Sequence, residues 1–569
     1  AYENGTQSEL IHSGKAAVDV VHGRRILSSD RNGGTGVYRW DVSPWVVGYL
    51  IEPEWNTDTI AYTDHSVQRS GEFSGKYFYT DGRATVTEAM LAEVMDAITV
   101  FESEKYGILR PIGFTADPTC DFLEYEETYA PQLQKYVTLD MEHILPTAKM
   151  EAGRFAAYRL YDFCRDYGAY LSGTQKNALS DIMKHVDPES PYSGYLELLS
   201  GYHSMPILGS FSSSSARGVT SPERLPQTEQ EQGEDLARVS MIMETDGWDG
   251  GFIANWQDVW TRRSWNTAFA SDPDTLFRWH DLQSEAQSSG LMAFMPGETS
   301  VCVLDGDPME WSTDDTVLEN DGLRVSARYD EEALYLLFEG LSAGESAFLA
   351  LDISDEVGAY CCAAPLLDFD READFVLCLM PEAARLLVHE RYDAQRARFL
   401  YELVGEDAYA APPAKDSAVY VPVCLTLENN TLYDELNDQT LALSYLNSAE
   451  TGLLREGCGD PESQDYDSLA DICRGADCVE LRLPWLLLNV GDPTAMRVHG
   501  DYYTHYGVEL QSVREIWMGC ARQEGETITF ESFPVKARRL GLVWRERLKQ
   551  SYYVMQKLWE EGGADADSG

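Results

Sequence analysis

Residues 205–211 read MPILGSF and residues 251–256 read GFIANW, and the 39 positions between them hold a long amphipathic run opened by Thr228-Glu229-Gln230-Glu231. A short apolar run, a capped helix and a second short apolar run make a βα unit, whose strands pair in parallel. Three earlier runs repeat the pattern: WVVGYLIE (45–52), ILRPIGFT (108–115) and RFAAYRLY (154–161). Thr85-Val86-Thr87-Glu88 and Thr228-Glu229-Gln230-Glu231 both match a capping box, in which hydroxyl and carboxylate each satisfy an orphan amide of the first helical turn. The helices they open are expected near 85–106 and 228–246. Residues 1–297 are therefore expected to wrap βα units around a parallel sheet.

Past Gly297 the texture changes to short β-type segments with turn residues between them: SVCVLDG, GLRVSARYD, ALYLLFEG, AFLALDIS, ADFVLCLM, RLLVHERYD, AVYVPVCLT, CVELRLPW and ITFESFPVK. They predict an antiparallel β-sandwich over 298–540, with an acidic surface loop at about 448–475. Residues 541–569 are expected to form a C-terminal helix, over 543–561, and a frayed tail. The fold class is thus α/β plus all-β.

Lys and Arg number 44 against 95 Asp and Glu in 569 residues, a formal charge of −51. Such a field repels nucleic acid and anionic membrane surfaces. Hydrophobic residues make up 44% of the chain, enough for two to four packed domains. No apolar run reaches the roughly 18 residues that span a bilayer, so membrane association is expected only through regions outside this chain. The opening AYENGTQSEL has neither an initiator Met nor a leader and reads as an internal piece. Eleven cysteines without a C-x-x-C pair argue for reduced thiols. Reduced thiols favour the cytoplasm, with an extracellular or cell-surface location left open.

In parallel βα folds the reacting groups gather at the carboxyl ends of strands. Those exits carry Glu54 and Trp55; Asp117; Tyr158 and Arg159; Ser210 and the loop to Arg217; and Asn255, Trp256, Gln257, Asp258 and Trp260. Indoles stack on the apolar faces of sugar rings while carboxylates and amides bind hydroxyls, so an oligo- or polysaccharide is the expected partner. Glu54 is the first candidate for a general acid and base, because a neighbouring indole desolvates its carboxyl. Asp258 or Asp117 would supply the second carboxylate. His12, His22, His65 and His143 lack metal-ligand spacing, and no Walker or dinucleotide motif occurs, so neither metal nor cofactor is expected.

The stretches PILGSF with SSSSARG, TEQEQGEDLAR, DGWDGGFIANWQDVWTRRSWNT and WHDLQSEAQSSGLMAFMPG, with GVYRWDVSPWVVGYLIEPEW, SGKYFYT and RPIGFTADPTCD upstream, resemble a bacterial glycoside-hydrolase-like (β/α)8 module of the retaining, two-glutamate clan, found beside glycosyltransferase-like regions. The resemblance implies a barrel whose last five βα units lie in this chain. It also implies a nucleophilic glutamate where this chain has Ser210, which cannot replace a carboxylate in capturing an oxocarbenium-like centre. The run Asp305-Gly306 to Trp311 resembles the opening turn of carbohydrate-binding sandwich modules. Together these imply a carbohydrate-active protein that acts on or binds a polysaccharide. The alternative is a catalytically inactive glycan-binding or scaffolding module of a polysaccharide synthesis or export system.

Overall fold

The structure is a computed structural model, and it describes residues 5–28, 35–52, 55–130, 134–160, 167–184, 191–222, 224–342, 344–399, 409–427, 448–537 and 543–566. The chain divides into two compact units, Ala1–Ser212 with Arg238–Ala254 and Ser213–Ala237 with Asn255–Gly569.

The first unit is built on a curled half-barrel sheet of five strands, Tyr49–Ile51, Ile112–Ala116, Ala156–Arg159, Ile207–Phe211 and Gly250–Ile253. They lie in sequence order and every pair is parallel. Each falls on one of the five apolar runs. The first is shorter than its run because Pro44 opens a 3₁₀ turn over Ser43–Trp45. Small residues let the backbone layers approach: a Cβ on Gly113 would lie 2.4 Å from the Phe155 carbonyl oxygen, and one on Gly209 would lie 2.5 Å from Met243 Cε. The helix Val86–Tyr106 starts at Thr85, whose hydroxyl accepts from the Glu88 amide at 3.2 Å while Glu88 Oε2 accepts from the Thr85 amide at 2.8 Å. It stops at Gly107, held at φ 71°, a backbone region that glycine enters without strain.

The second unit contains several antiparallel sheets. One has the order 316–320, 323–329, 333–339, 478–484, 472–474; another runs 420–422, 384–389, 375–379, 347–352, 515–521, 531–534. Alternate residues of both, among them Val325, Leu336, Phe338, Leu349, Leu377, Leu481 and Met518, fill one apolar core. The intervening positions of the second sheet, such as Phe348, Ala350 and Val376, bury a second cluster under the hairpin 359–373. That double burial explains why AFLALD and FVLCL read as unbroken apolar runs rather than as alternation.

Several expectations are corrected. SVCVLDG forms a turn rather than a strand, while Glu515–Ala521, unread in the sequence, is an inner strand flanked by 347–352 and 531–534. The expected terminal helix begins with a strand instead: Trp544–Leu548 pairs antiparallel with Met292–Pro296, and the helix runs Gln550–Ala566. Residues 213–237 and 255–297, expected to belong with the parallel sheet, group with the antiparallel unit. The reason is polar anchoring there: Asn266 Nδ2 donates to the Thr426 carbonyl at 2.9 Å, and the Asp272 amide donates to the Gly491 carbonyl at 3.1 Å.

Candidate functional site

Three consecutive exits of the parallel sheet line one open hollow of about 260 Å³. After the first strand come Trp55, Asn56 and Thr57; after the second, Asp117, Pro118 and Thr119; the third ends in Arg159. Asn56 caps the helix Thr57–Ser66, its side-chain oxygen accepting from the Thr59 amide at 2.9 Å. Trp55 is half-buried, and its indole N–H donates to the Thr115 carbonyl at 2.6 Å, which fixes the ring beside the second strand's end. Asp117 Oδ1 accepts from the Thr119 amide at 2.8 Å and hydroxyl at 2.5 Å, so this carboxylate is oriented by its own turn. Arg159 Nε donates to Glu52 Oε1 at 3.2 Å. The hollow thus joins an indole, a carboxylate, an amide cap and a guanidinium held by a carboxylate at the exit of the first strand.

Sequence reasoning selected Trp55, Asp117 and Arg159, and these meet. Glu54 lies outside the described residues. Tyr158 is turned away: neighbouring residues of a strand face opposite sides, so its ring is buried on the side opposite Arg159. Its hydroxyl is 2.7 Å from His203 Nε2, and burial, reinforced by Asp140 and Asp121, holds the phenol well above its ordinary range. Ser210 sits on the fourth strand, where its carbonyl accepts from the Leu160 amide at 2.8 Å. Gln134, at φ 52°, also lines the hollow. It comes from an irregular loop without strand or helix pattern, so no sequence signal pointed to it.

The remaining candidates belong to the second unit. Asp258 is buried, with Oδ1 accepting from Lys549 Nζ at 2.7 Å and from the Gly290 amide at 2.9 Å. A carboxylate so enclosed and paired has no face for a substrate, which corrects its expected catalytic role. Arg217 is likewise buried, its Nε 2.9 and 2.8 Å from the two carboxylate oxygens of Asp471 and its second terminal nitrogen 2.7 Å from one of them. It therefore holds structure rather than a ligand. Asn255 Nδ2 donates to Ser289 Oγ at 3.0 Å. Trp256 is exposed and edge-on to Tyr552, Gln257 is exposed and bridges to Met292, and Trp260 stacks on His280 with centroids 6.1 Å apart.

No helix among the described residues is long and apolar enough to cross a membrane. The chain matches no protein-family model, no curated protein and no solved structure. Chemically, the hollow can stack a flat apolar face against Trp55 and exchange hydrogen bonds with Asp117, Asn56, Gln134 and Arg159. Asp117 is its one lining carboxylate among the described residues.

Proposed function

We propose that the protein binds an oligo- or polysaccharide at the carboxyl ends of its parallel strands. On this reading the first unit is part of a (β/α)8-type barrel that has lost hydrolysis, and the second is a carbohydrate-binding-type β-sandwich. One observation carries it: Trp55, Asp117 and Arg159, from three successive strand exits, share one hollow. Indole with hydroxyl-binding polar groups is the combination that saccharides require. The enclosure of Asp258 and the serine at position 210 support binding over turnover.

A glycan array probed with the full chain, followed by calorimetry on the best ligand, tests this. Trp55→Ala should weaken binding about two- to tenfold or more, the equivalent of roughly 0.5–1.5 kcal/mol for a lost aromatic contact. Turnover of aryl glycosides would overturn the inactive reading. Binding indifferent to Trp55 and Asp117 would remove the site.

A further inference from the structure

In the antiparallel unit, at the Asp305–Trp311 turn, three ligand-type side chains converge. Cys302 comes from the turn before the 3₁₀ segment Pro308–Glu310, Glu310 from that segment, and Glu480 from the middle of the strand Cys478–Pro484. One donor atom from each lies within 4.8 Å of the other two, and the Cys302 sulfur is 4.0 Å from Glu480 Oε1. Bonds of about 2.3 Å to sulfur and about 2.0–2.2 Å to oxygen would place tetrahedral ligand atoms roughly 3.3–3.7 Å apart. Rotation of the exposed Glu310 side chain brings its oxygen into that range, and the Cys302–Glu480 pair, at 4.0 Å, closes by a few tenths of an ångström on binding.

We infer that Cys302, Glu310 and Glu480 form a site for one divalent cation of the zinc class. Glu480 is fully buried, and its oxygens take only neutral donors: the Asp305 and Gly306 amides at 3.1 and 2.9 Å, and the Trp311 indole at 2.9 Å. No Lys, Arg or His among the described residues forms an ion pair with Glu310 or Glu480. A buried carboxylate ordinarily needs a cationic partner, and a metal ion would supply it. The amides and indole orient the carboxylate from behind, as outer partners of metal ligands do. The donor set, one sulfur and two carboxylates, suits a borderline cation better than calcium, which takes six to eight oxygens. Two further thiols flank the site: Cys473 lies opposite Glu480 in the strand register, and Cys478 lies two residues before it, its thiol 3.3 Å from the Gly306 carbonyl.

On binding, the Cys302 S–H bond breaks, a metal–sulfur bond forms, and the proton leaves to solvent while Glu310 and Glu480 coordinate as carboxylates. Exposed Glu310 gives the ion its way in, and water completes the coordination.

The test uses the full chain, reduced and stripped with chelator, titrated with cobalt(II) and then zinc. One equivalent of cobalt should raise a near-ultraviolet sulfur-to-cobalt charge-transfer band, which zinc then abolishes. Surface carboxylates of this acidic protein give no such band. Cys302→Ser should remove it. Glu310→Gln, at an exposed position that leaves the fold intact, should weaken cobalt binding at least as much as loss of an outer-sphere partner does, about tenfold or more. Absence of the band at saturating cobalt, its survival in Cys302→Ser, or unchanged affinity in Glu310→Gln would each overturn the assignment.

Discussion

Arg217 offers the sharpest separation between a binding residue and a structural one. Its guanidinium and the Asp471 carboxylate have side chains only 7% and 0% exposed. The guanidinium also donates to the Thr451 carbonyl and, at 3.3 Å, to the Leu453 carbonyl, and Asp471 Oδ2 further accepts from the Arg455 amide at 3.0 Å. Arg217→Met strands a buried carboxylate, and breaking one partner of such a pair costs about 3–5 kcal/mol. With a urea dependence of about 3 kcal/mol per molar, the unfolding midpoint should fall by about 1–1.7 M. Arg217→Met with Asp471→Leu should recover most of that loss, because paired apolar replacements of a buried ion pair are often neutral or better. Urea titrations of the wild type, both single variants and the double variant measure the coupling. A midpoint moved by less than about 0.3 M in Arg217→Met, given the same denaturant slope, would refute the structural reading. So would a double variant no better than the single.

His499 is fully buried, with Nε2 2.7 Å from the Ala270 carbonyl oxygen and Nδ1 2.7 Å from the Tyr502 hydroxyl, and burial brings its pKa down to about 4. The unfolded imidazole protonates near 6.5, so stability should be complete above that and fall as pH drops from 6.5 towards 4, by about 1.4 kcal/mol per pH unit. Chemical denaturation at several pH values should give a flatter profile for His499→Gln. A Cβ on Gly475 would lie 2.1 Å from the Gly306 carbonyl oxygen, so Gly475→Ala should lower the melting temperature and disturb Trp311 fluorescence. Lys549→Met leaves Asp258 buried without its cation and should cost about 3 kcal/mol, read as a lowered melting temperature that Asp258→Asn partly restores.

The parallel sheet was legible because its signals are local: an apolar run for every strand, and a capping box opening a helix before the second strand and before the fifth. Trp55, Asp117 and Arg159 were legible for the same reason, since strand exits follow from strand positions. Asp258 and Arg217 were read from the same rule, yet their partners Lys549 and Asp471 lie far along the chain, and no local pattern announces a partner at that separation. Glu515–Ala521 was missed because its core residues Ile516, Met518 and Cys520 alternate with Trp517 and Gly519, which blur the contrast between faces. The strand Trp544–Leu548 was absorbed into a helix because its charged residues suit either periodicity until Met292–Pro296 pairs with it.

The lysine that reaches Asp258 is separated from it by 291 positions, and the Arg217–Asp471 pair spans 254. Such closures cannot form while a ribosome is still delivering the intervening polypeptide. Apolar strands made early must wait for their partners, and folding governed by distant pairings is slow and exposes sticky intermediates. Refolding yield should therefore depend on protein concentration and on chaperones far more than the finished protein's stability would suggest.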